Sequence, residues 1–237
     1  MENYDFFPLG DSGVMVKLGQ AIDRLTHEKV RTLADYLEES PFYGMVEYVP
    51  AFTTVTVYYD PVLLSDPASP QSPYERVCAL LQKILAQVTE RPSADSRIVE
   101  IPVCYGGELG PDLEAVADYH QLSVEEVIRL HTAPDYLVHM IGFAPGFPYL
   151  GGLDERIATP RRGTPRLRIE AGSVGIGGSQ TGVYPIESPG GWQLIGKTPL
   201  RLFRPEHEPP TLLQAGDTVR FRAITREEFD RWQEVAR

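Results

Sequence analysis

Apolar and polar residues alternate through Val14–Leu18 (VMVKL), which predicts a short strand. The period then changes. Ile22, Leu25, Val30, Leu33, Ala34 and Leu37 recur at helical spacing, with Asp23 as the N-cap and Ser40-Pro41 as the stop. Residues 45–49 and 53–59 are β-rich runs joined by a short Pro-containing turn, the pattern of a hairpin. After a Ser/Pro loop at 65–73, residues 74–89 are again amphipathic, with Val77, Leu80, Leu81, Ile84, Leu85 and Val88 on one side. Residues 97–103 (RIVEIPV) resume alternation. The resulting order, β-α-β-β-α-β, predicts an α+β ferredoxin-like split βαβ arrangement, and a first domain is set at 1–95.

The rest, 96–237, reads as a second domain. Residues 111–120 and 123–131 predict two short helices, the second opened by a capping box, Ser123 with Glu126 three residues on. Beyond Thr132 the pattern is β: 136–143, 167–170, 192–195, 200–203 and 218–223, separated by Gly/Pro turns. Several short strands of this kind predict a closed or nearly closed β-barrel. Residues 225–237 predict a terminal helix capped by Thr225 with Glu228 at the third position.

Composition sharpens the second half. Thirteen of the 21 glycines lie between Gly142 and Gly196, with six prolines among them. Phe143, Phe147, Tyr149, Tyr184 and Trp192 interrupt this run, so it is not linker composition and predicts a turn-rich β structure with a shaped surface. The chain carries a formal charge of −11. Between Arg156 and Arg201, however, seven basic residues (Arg156, Arg161, Arg162, Arg166, Arg168, Lys197, Arg201) face two acidic ones, Glu170 and Glu187. Either these cations form a patch for a small carboxylate or phosphate, or they alternate outward along strands as solvated positions. Nucleic acid, which needs a broad basic face, is not expected. No window of 18 apolar residues predicts a membrane helix, and residues 1–13 do not read as a secretory signal. Two cysteines, Cys78 and Cys104, are too few for a disulfide framework, which makes a cytoplasmic protein with reduced thiols the expectation.

Candidate chemistry is sparse. Residues 191–198 (GWQLIGKT) match the phosphate-loop pattern letter for letter, but Pro199 follows and the interior is strand-like, so no phosphate loop is predicted. Lys197 still offers a point charge to an anion. His139, in a strand entering GFAPGFP, is a candidate acid/base or ligand contact, or else a hydrogen-bonded core histidine. Gln180 and Thr181 in GGSQTG offer donors and acceptors to an amide or carboxylate, or serve their turn. The histidines lack metal-ligand spacing and no metal site is expected.

HMIGFAPGFPYLGGL, TPRRGTPRLRIEAGSVGIGGSQTGVYP and SPGGWQLIGKTP, with the opening FPLGDSGVMV, resemble the allophanate hydrolase subunit 1 family, and the likeness spans nearly the whole chain. That family includes the B subunit of bacterial 5-oxoprolinase (PxpB) and the sporulation kinase inhibitor KipI. The resemblance implies a ferredoxin-like N-terminal domain and a mainly-β cyclophilin-like barrel. It implies an ATP-hydrolysing enzyme that opens 5-oxoproline to L-glutamate together with PxpA-type and PxpC-type subunits. The alternative it implies is inhibition of a sensor histidine kinase by protein–protein binding, with Phe143, Phe147 and Tyr149 as the docking patch. By position in these motifs, His139, Arg166 and Lys197 are the catalytic candidates. Phe143, Pro145, Gly146, Phe147, Arg162 and Pro165 are candidates for binding substrate or an anion. So are Gln180, Thr181, Tyr184, Trp192 and Thr198.

Overall fold

Val14 and Val16 alternate into the interior because their strand pairs with Val57 and Val55 of a neighbour that alternates in step. This pairing is the centre of the N-terminal unit in a computed structural model that describes residues 4–88 and 97–235. The chain divides into two compact units, Met1–Asp95 and Ser96–Arg237.

The N-terminal unit runs β1 (Asp5–Pro8), β2 (Gly13–Lys17), α1 (Arg24–Glu39), β3 (Met45–Pro50), β4 (Thr54–Tyr59) and α2 (Pro73–Val88). Its four strands form one antiparallel sheet in the order β1-β2-β4-β3. One sheet face (Val14, Val16, Val55, Val57, Tyr59) shares a core with Val30, Leu33 and Leu37 of α1 and Val77, Leu81 and Leu85 of α2. Asp23 caps α1, its carboxylate accepting from the Thr26 N–H at 2.7 Å. Ile22 and Leu25, expected on the apolar side, are instead exposed at the helix entrance. Thr89, expected to end α2, lies outside the described residues.

The alternating run at 97–103 does not complete this sheet. It belongs to β5 (Ile98–Tyr105), which pairs in parallel with β13 (Thr218–Ala223) in the C-terminal unit. The position beside β2 is filled by β1, reached through a four-residue turn. Closing so short a turn costs far less chain entropy than returning after two helices and a hairpin.

The C-terminal unit contains α3 (Leu113–His120), α4 (Val124–Thr132), β6 (Tyr136–Ile141), β7 (Pro148–Gly151) and β8 (Arg166–Ile169). It continues with β9 (Ser173–Gly177), β10 (Gln180–Val183), β11 (Ser188–Gly190), β12 (Gln193–Lys197), β13 and α5 (Arg226–Val235). Seven strands close a barrel in the order β10-β7-β6-β13-β5-β12-β9, and β8 and β11 form a separate ribbon. The barrel core (Val103, Val138, Leu150, Val174, Ile176, Ile195, Val219) is continuous with Leu113, Val116, Val127 and Leu130 of the two helices. Residues 200–203, which alternate like a strand, contribute only the bridge from Phe203 to Thr211, and a buried Leu202 anchors the segment.

Both caps predicted for this unit are present. Thr225 and Glu228 form a reciprocal capping box at α5, at 3.2 and 2.8 Å. Ser123 caps α4, whereas the Glu126 side chain turns to Arg129 instead of reaching back. Residues 236–237 of the expected terminal helix lie outside the described residues. Among the described residues no helix is long and apolar enough to cross a membrane.

Candidate functional site

Two consecutive turns shape the glycine-rich segment after β6. The Ala144 N–H donates to the Gly142 carbonyl at 2.8 Å around Phe143, whose φ is +68°, a γ-turn of the rare positive-φ kind. The Phe147 N–H then donates to the Ala144 carbonyl at 3.0 Å. Pro145 and Gly146 (φ +84°) lie between, as a type II turn requires. The result places Phe143 in solvent, 65% exposed, and drives Phe147 inward, 2% exposed.

Phe147 is the hub of an aromatic cluster. Phe143, Tyr149, Tyr184 and Trp192 surround it edge-to-face at centroid distances of 5.4, 5.3, 5.5 and 5.5 Å. Such pairs add roughly 0.5–1.5 kcal/mol each beyond the area they bury. The glycines make room: a Cβ on Gly177 would stand 2.5 Å from the indole of Trp192. The cluster opens as a cleft of about 340 Å³, completed by Arg161, Pro165, Pro189, Gly190 and Gly191.

The cations resolve differently from their count. Arg156 pairs with Asp154, Arg162 and Arg166 with Asp112, Arg168 with Glu187, Lys197 with Glu170 and Arg201 with Glu206. Three of these acids, Asp112, Asp154 and Glu206, lie outside the segment counted, so six of the seven cations are paired with five carboxylates, Arg162 and Arg166 sharing one. Arg161 is the exception, with no carboxylate partner among the described residues. Its guanidinium lies over Trp192, 5.9 Å from the ring centroid, on the rim of the cleft. Two bonds pin its loop: Gln193 Nε2 donates to the Pro160 carbonyl at 2.9 Å, and the Arg162 N–H donates to the Gly191 carbonyl at 2.7 Å.

Asp112 is the buried acid behind this loop. Its carboxylate accepts from Arg162 Nη1 at 3.0 Å, from Arg166 Nη1 and Nη2 at 2.8 Å each, and from the Leu194 N–H at 2.7 Å. Nothing local in the sequence marked it, because its partners come from about fifty or more residues downstream.

The cleft therefore gathers Phe143, Phe147, Pro165, Tyr184 and Trp192 from the expected site, and adds Tyr149 and Arg161. Pro145 and Gly146 shape the turn behind it. Arg162 and Arg166 are committed to Asp112 and Lys197 to Glu170. His139 is buried against Gly151, whose added Cβ would stand 2.2 Å from its Nε2, and burial lowers its pKa. Thr181 is in the barrel interior. Its hydroxyl bonds His131 Nε2 at 2.8 Å and the Gly175 carbonyl at 3.0 Å, and His131 Nδ1 bonds the Tyr105 hydroxyl at 2.7 Å. Thr198 is buried, where its hydroxyl accepts from the Leu200 N–H, and Gln180 is half-buried on β10. The GKT segment is strand β12 and its exit, paired with β9 and β5, not a loop. Among the described residues no group of three or more His, Cys, Asp or Glu side chains is placed to hold a metal.

Residues 4–213 match the model of the carboxyltransferase domain, subdomain C and D. The chain belongs to this family. Its relatives include proteins named as the B subunit of 5-oxoprolinase. That of Bacillus subtilis (strain 168) is 54% identical over 233 residues, covering 98% of this chain and 97% of the relative. That of Escherichia coli O157:H7 is 43% identical over 221 residues, covering 93% and 96%. Among solved structures, TTHA0988 superposes with a TM-score of 0.74 at 36% identity. The match covers 90% of this chain and 40% of that longer one. The family that the sequence motifs resemble, allophanate hydrolase subunit 1 with its 5-oxoprolinase B subunits, is thus the family of this chain.

Proposed function

We propose that the chain is the B subunit of an ATP-driven 5-oxoprolinase that opens 5-oxoproline to L-glutamate alongside PxpA-type and PxpC-type companions. The observation that carries this reading is the end-to-end 54% identity to a protein of that name. The geometry of the cleft supports it. 5-Oxoproline is a small flat lactam bearing one carboxylate. Edge-to-face aromatic walls of Phe147, Tyr184 and Trp192 suit the ring, and Arg161, which lacks a carboxylate partner among the described residues, suits the carboxylate.

The lactam is an unstrained amide, so water alone attacks its carbonyl carbon slowly. Transfer of the ATP γ-phosphoryl to the amide oxygen makes that carbon electrophilic. One water then adds and the C–N bond breaks, which frees the amine of glutamate and leaves an acyl phosphate. A second water hydrolyses that acyl phosphate to the carboxylate and free phosphate. In this scheme the present chain binds and orients the lactam, because Arg166, Lys197 and His139 are already engaged or buried. ATP is assigned to a companion chain, since residues 193–197 are a paired strand and offer no phosphate cradle. We also read the N-terminal sheet as ferredoxin-like in strand order, with β1 in the place of the usual last strand.

The experiment is reconstitution. Companion subunits, ATP and 5-oxoproline are assayed for glutamate with and without this chain, and with Arg161→Ala. Glutamate is expected only in the complete mixture, with KM raised by the substitution. Full activity without the chain would end this reading.

A further inference from the structure

We propose that Asp112 is a positioning residue: it holds the loop that carries Arg161 and thereby sets that guanidinium over Trp192 at the mouth of the cleft. Its importance for turnover rests on the function proposed above; its control of the loop does not.

Asp112 occupies the N-cap position of α3, where an aspartate ordinarily accepts from the first free helix N–H groups. Here no side-chain cap bond forms. The carboxylate is turned away from its helix to bind two guanidinium groups, at both ends of residues 162–166. The same residue is stitched to β12 in both directions. Its carboxylate accepts the Leu194 N–H at 2.7 Å, and its own N–H donates to the Leu194 carbonyl at 2.9 Å. Two residues before Leu194 in the chain stands Trp192. One residue before Arg162 stands Arg161. Asp112 therefore fixes the two halves of the Arg161–Trp192 contact relative to each other.

A helix cap has been given up for this clamp, and a buried ion pair is a poor way to gain stability alone. What it provides is a single geometry. Without the carboxylate, Arg162 and Arg166 are two half-buried cations with no counter-charge, and they repel. The bonds from Gln193 to Pro160 and from Arg162 to Gly191 would then be left to hold the middle of the loop, with the Thr159–Gly178 bridge and the Arg166–Gly190 pairing at its two ends.

The test is a double-mutant cycle on the full chain. The protein has two tryptophans, so Trp232→Phe on α5 leaves Trp192 as the single reporter. Arg161→Ala uncovers the indole and raises its quenching by acrylamide. Asp112→Asn is expected to raise quenching by the same factor, and the double variant no further, because both remove one contact. Independent, multiplying increases would overturn the proposal. If Asp112→Asn does not fold, as judged by thermal unfolding, the cycle is run with Arg166→Gln, which leaves Asp112 on Arg162 and Leu194. Non-additivity supports the clamp there too, and additivity overturns it. In the reconstituted assembly, Asp112→Asn is expected to raise KM for 5-oxoproline about tenfold with kcat within about twofold, the mark of lost binding. If the wild-type assembly forms no glutamate, the substrate assignment fails and the fluorescence cycle alone decides on Asp112.

Discussion

The N–H of Ala144 donates to the carbonyl oxygen of Gly142 at 2.8 Å, and the chain between them bends through Phe143 at a φ of +68°. An aromatic L-residue is costly in that conformation, and glycine is not. Phe143 is mostly in solvent and its ring meets that of Phe147 on one side, a contact that glycine and alanine both lack, so comparing the two substitutions isolates the backbone. Phe143→Gly is therefore expected to be more stable than Phe143→Ala by roughly 1 kcal/mol, read from urea midpoints. Equal midpoints would show that the turn relaxes and stores no strain.

Arginines that look alike in the sequence should behave differently. Arg168 pairs with Glu187 in solvent, and Arg168→Ala should change stability by less than about 0.5 kcal/mol. Arg166 satisfies a buried carboxylate with two bonds, and Arg166→Ala leaves Asp112 with Arg162 and one backbone N–H. A loss of roughly 1–3 kcal/mol is expected, and thermal unfolding of the two variants side by side distinguishes them. Equal melting temperatures would contradict the ion-pair account.

His131 gives stability a pH dependence. It is fully enclosed between Tyr105 and Thr181, and burial pushes its pKa down to about 3. Between that value and the ordinary one near 6.5, the unfolded chain holds a proton that the folded chain does not. Its contribution is thus complete above the unfolded pKa and is lost as pH falls toward 3. His139, also lowered by burial, adds in the same direction. From pH 7 to pH 5, His131 alone should account for about 2 kcal/mol of lost stability. His131→Gln has no such titration, so urea titrations at the two pH values should show a correspondingly smaller loss. An equal loss in both proteins would mean that other groups drive the acid response.

Local chemistry was legible in the sequence and distant chemistry was not. Asp23, Ser123 and Thr225 cap their helices because a cap and its N–H partners lie within three residues. The barrel was readable as a class, yet β7, β9 and β10 were hidden. Every residue of β9 is buried, so it has no polar face to alternate with, and its glycines are places where Trp192 and β12 press against the backbone. Residues 200–203 show the converse: their alternation reflects one anchored leucine in an irregular segment. For the site, the aromatic half was visible as rings among glycines. The charge count left two readings of the cations open because a count along the chain cannot see Asp112, which reaches Arg166 across 54 positions. What distinguishes Arg161 is the lack of a carboxylate partner among the described residues, and only the assembled barrel reveals it.

The same crowding yields the sharpest test of the cleft floor. Gly177 has an ordinary backbone, so the issue is space, not φ. A methyl group there would meet three atoms of the Trp192 indole at 2.5–2.6 Å, well inside van der Waals contact. The indole has little freedom to retreat: Phe147 stands edge-on at 5.5 Å and Tyr184 at 6.3 Å. Gly177→Ala must therefore lift Trp192 toward Arg161 and fill part of the cleft. A cost of roughly 1–3 kcal/mol is expected from overpacking. Tryptophan emission in the Trp232→Phe background should shift to the red as the ring gains solvent, and the reconstituted assembly should lose affinity for 5-oxoproline. Gly163→Ala, where an added methyl meets nothing within 4 Å, is the matched control and should change none of the three. If Gly177→Ala instead leaves emission and melting temperature where they were, the floor has slack, and the aromatic cleft is not the rigid surface its ring geometry describes.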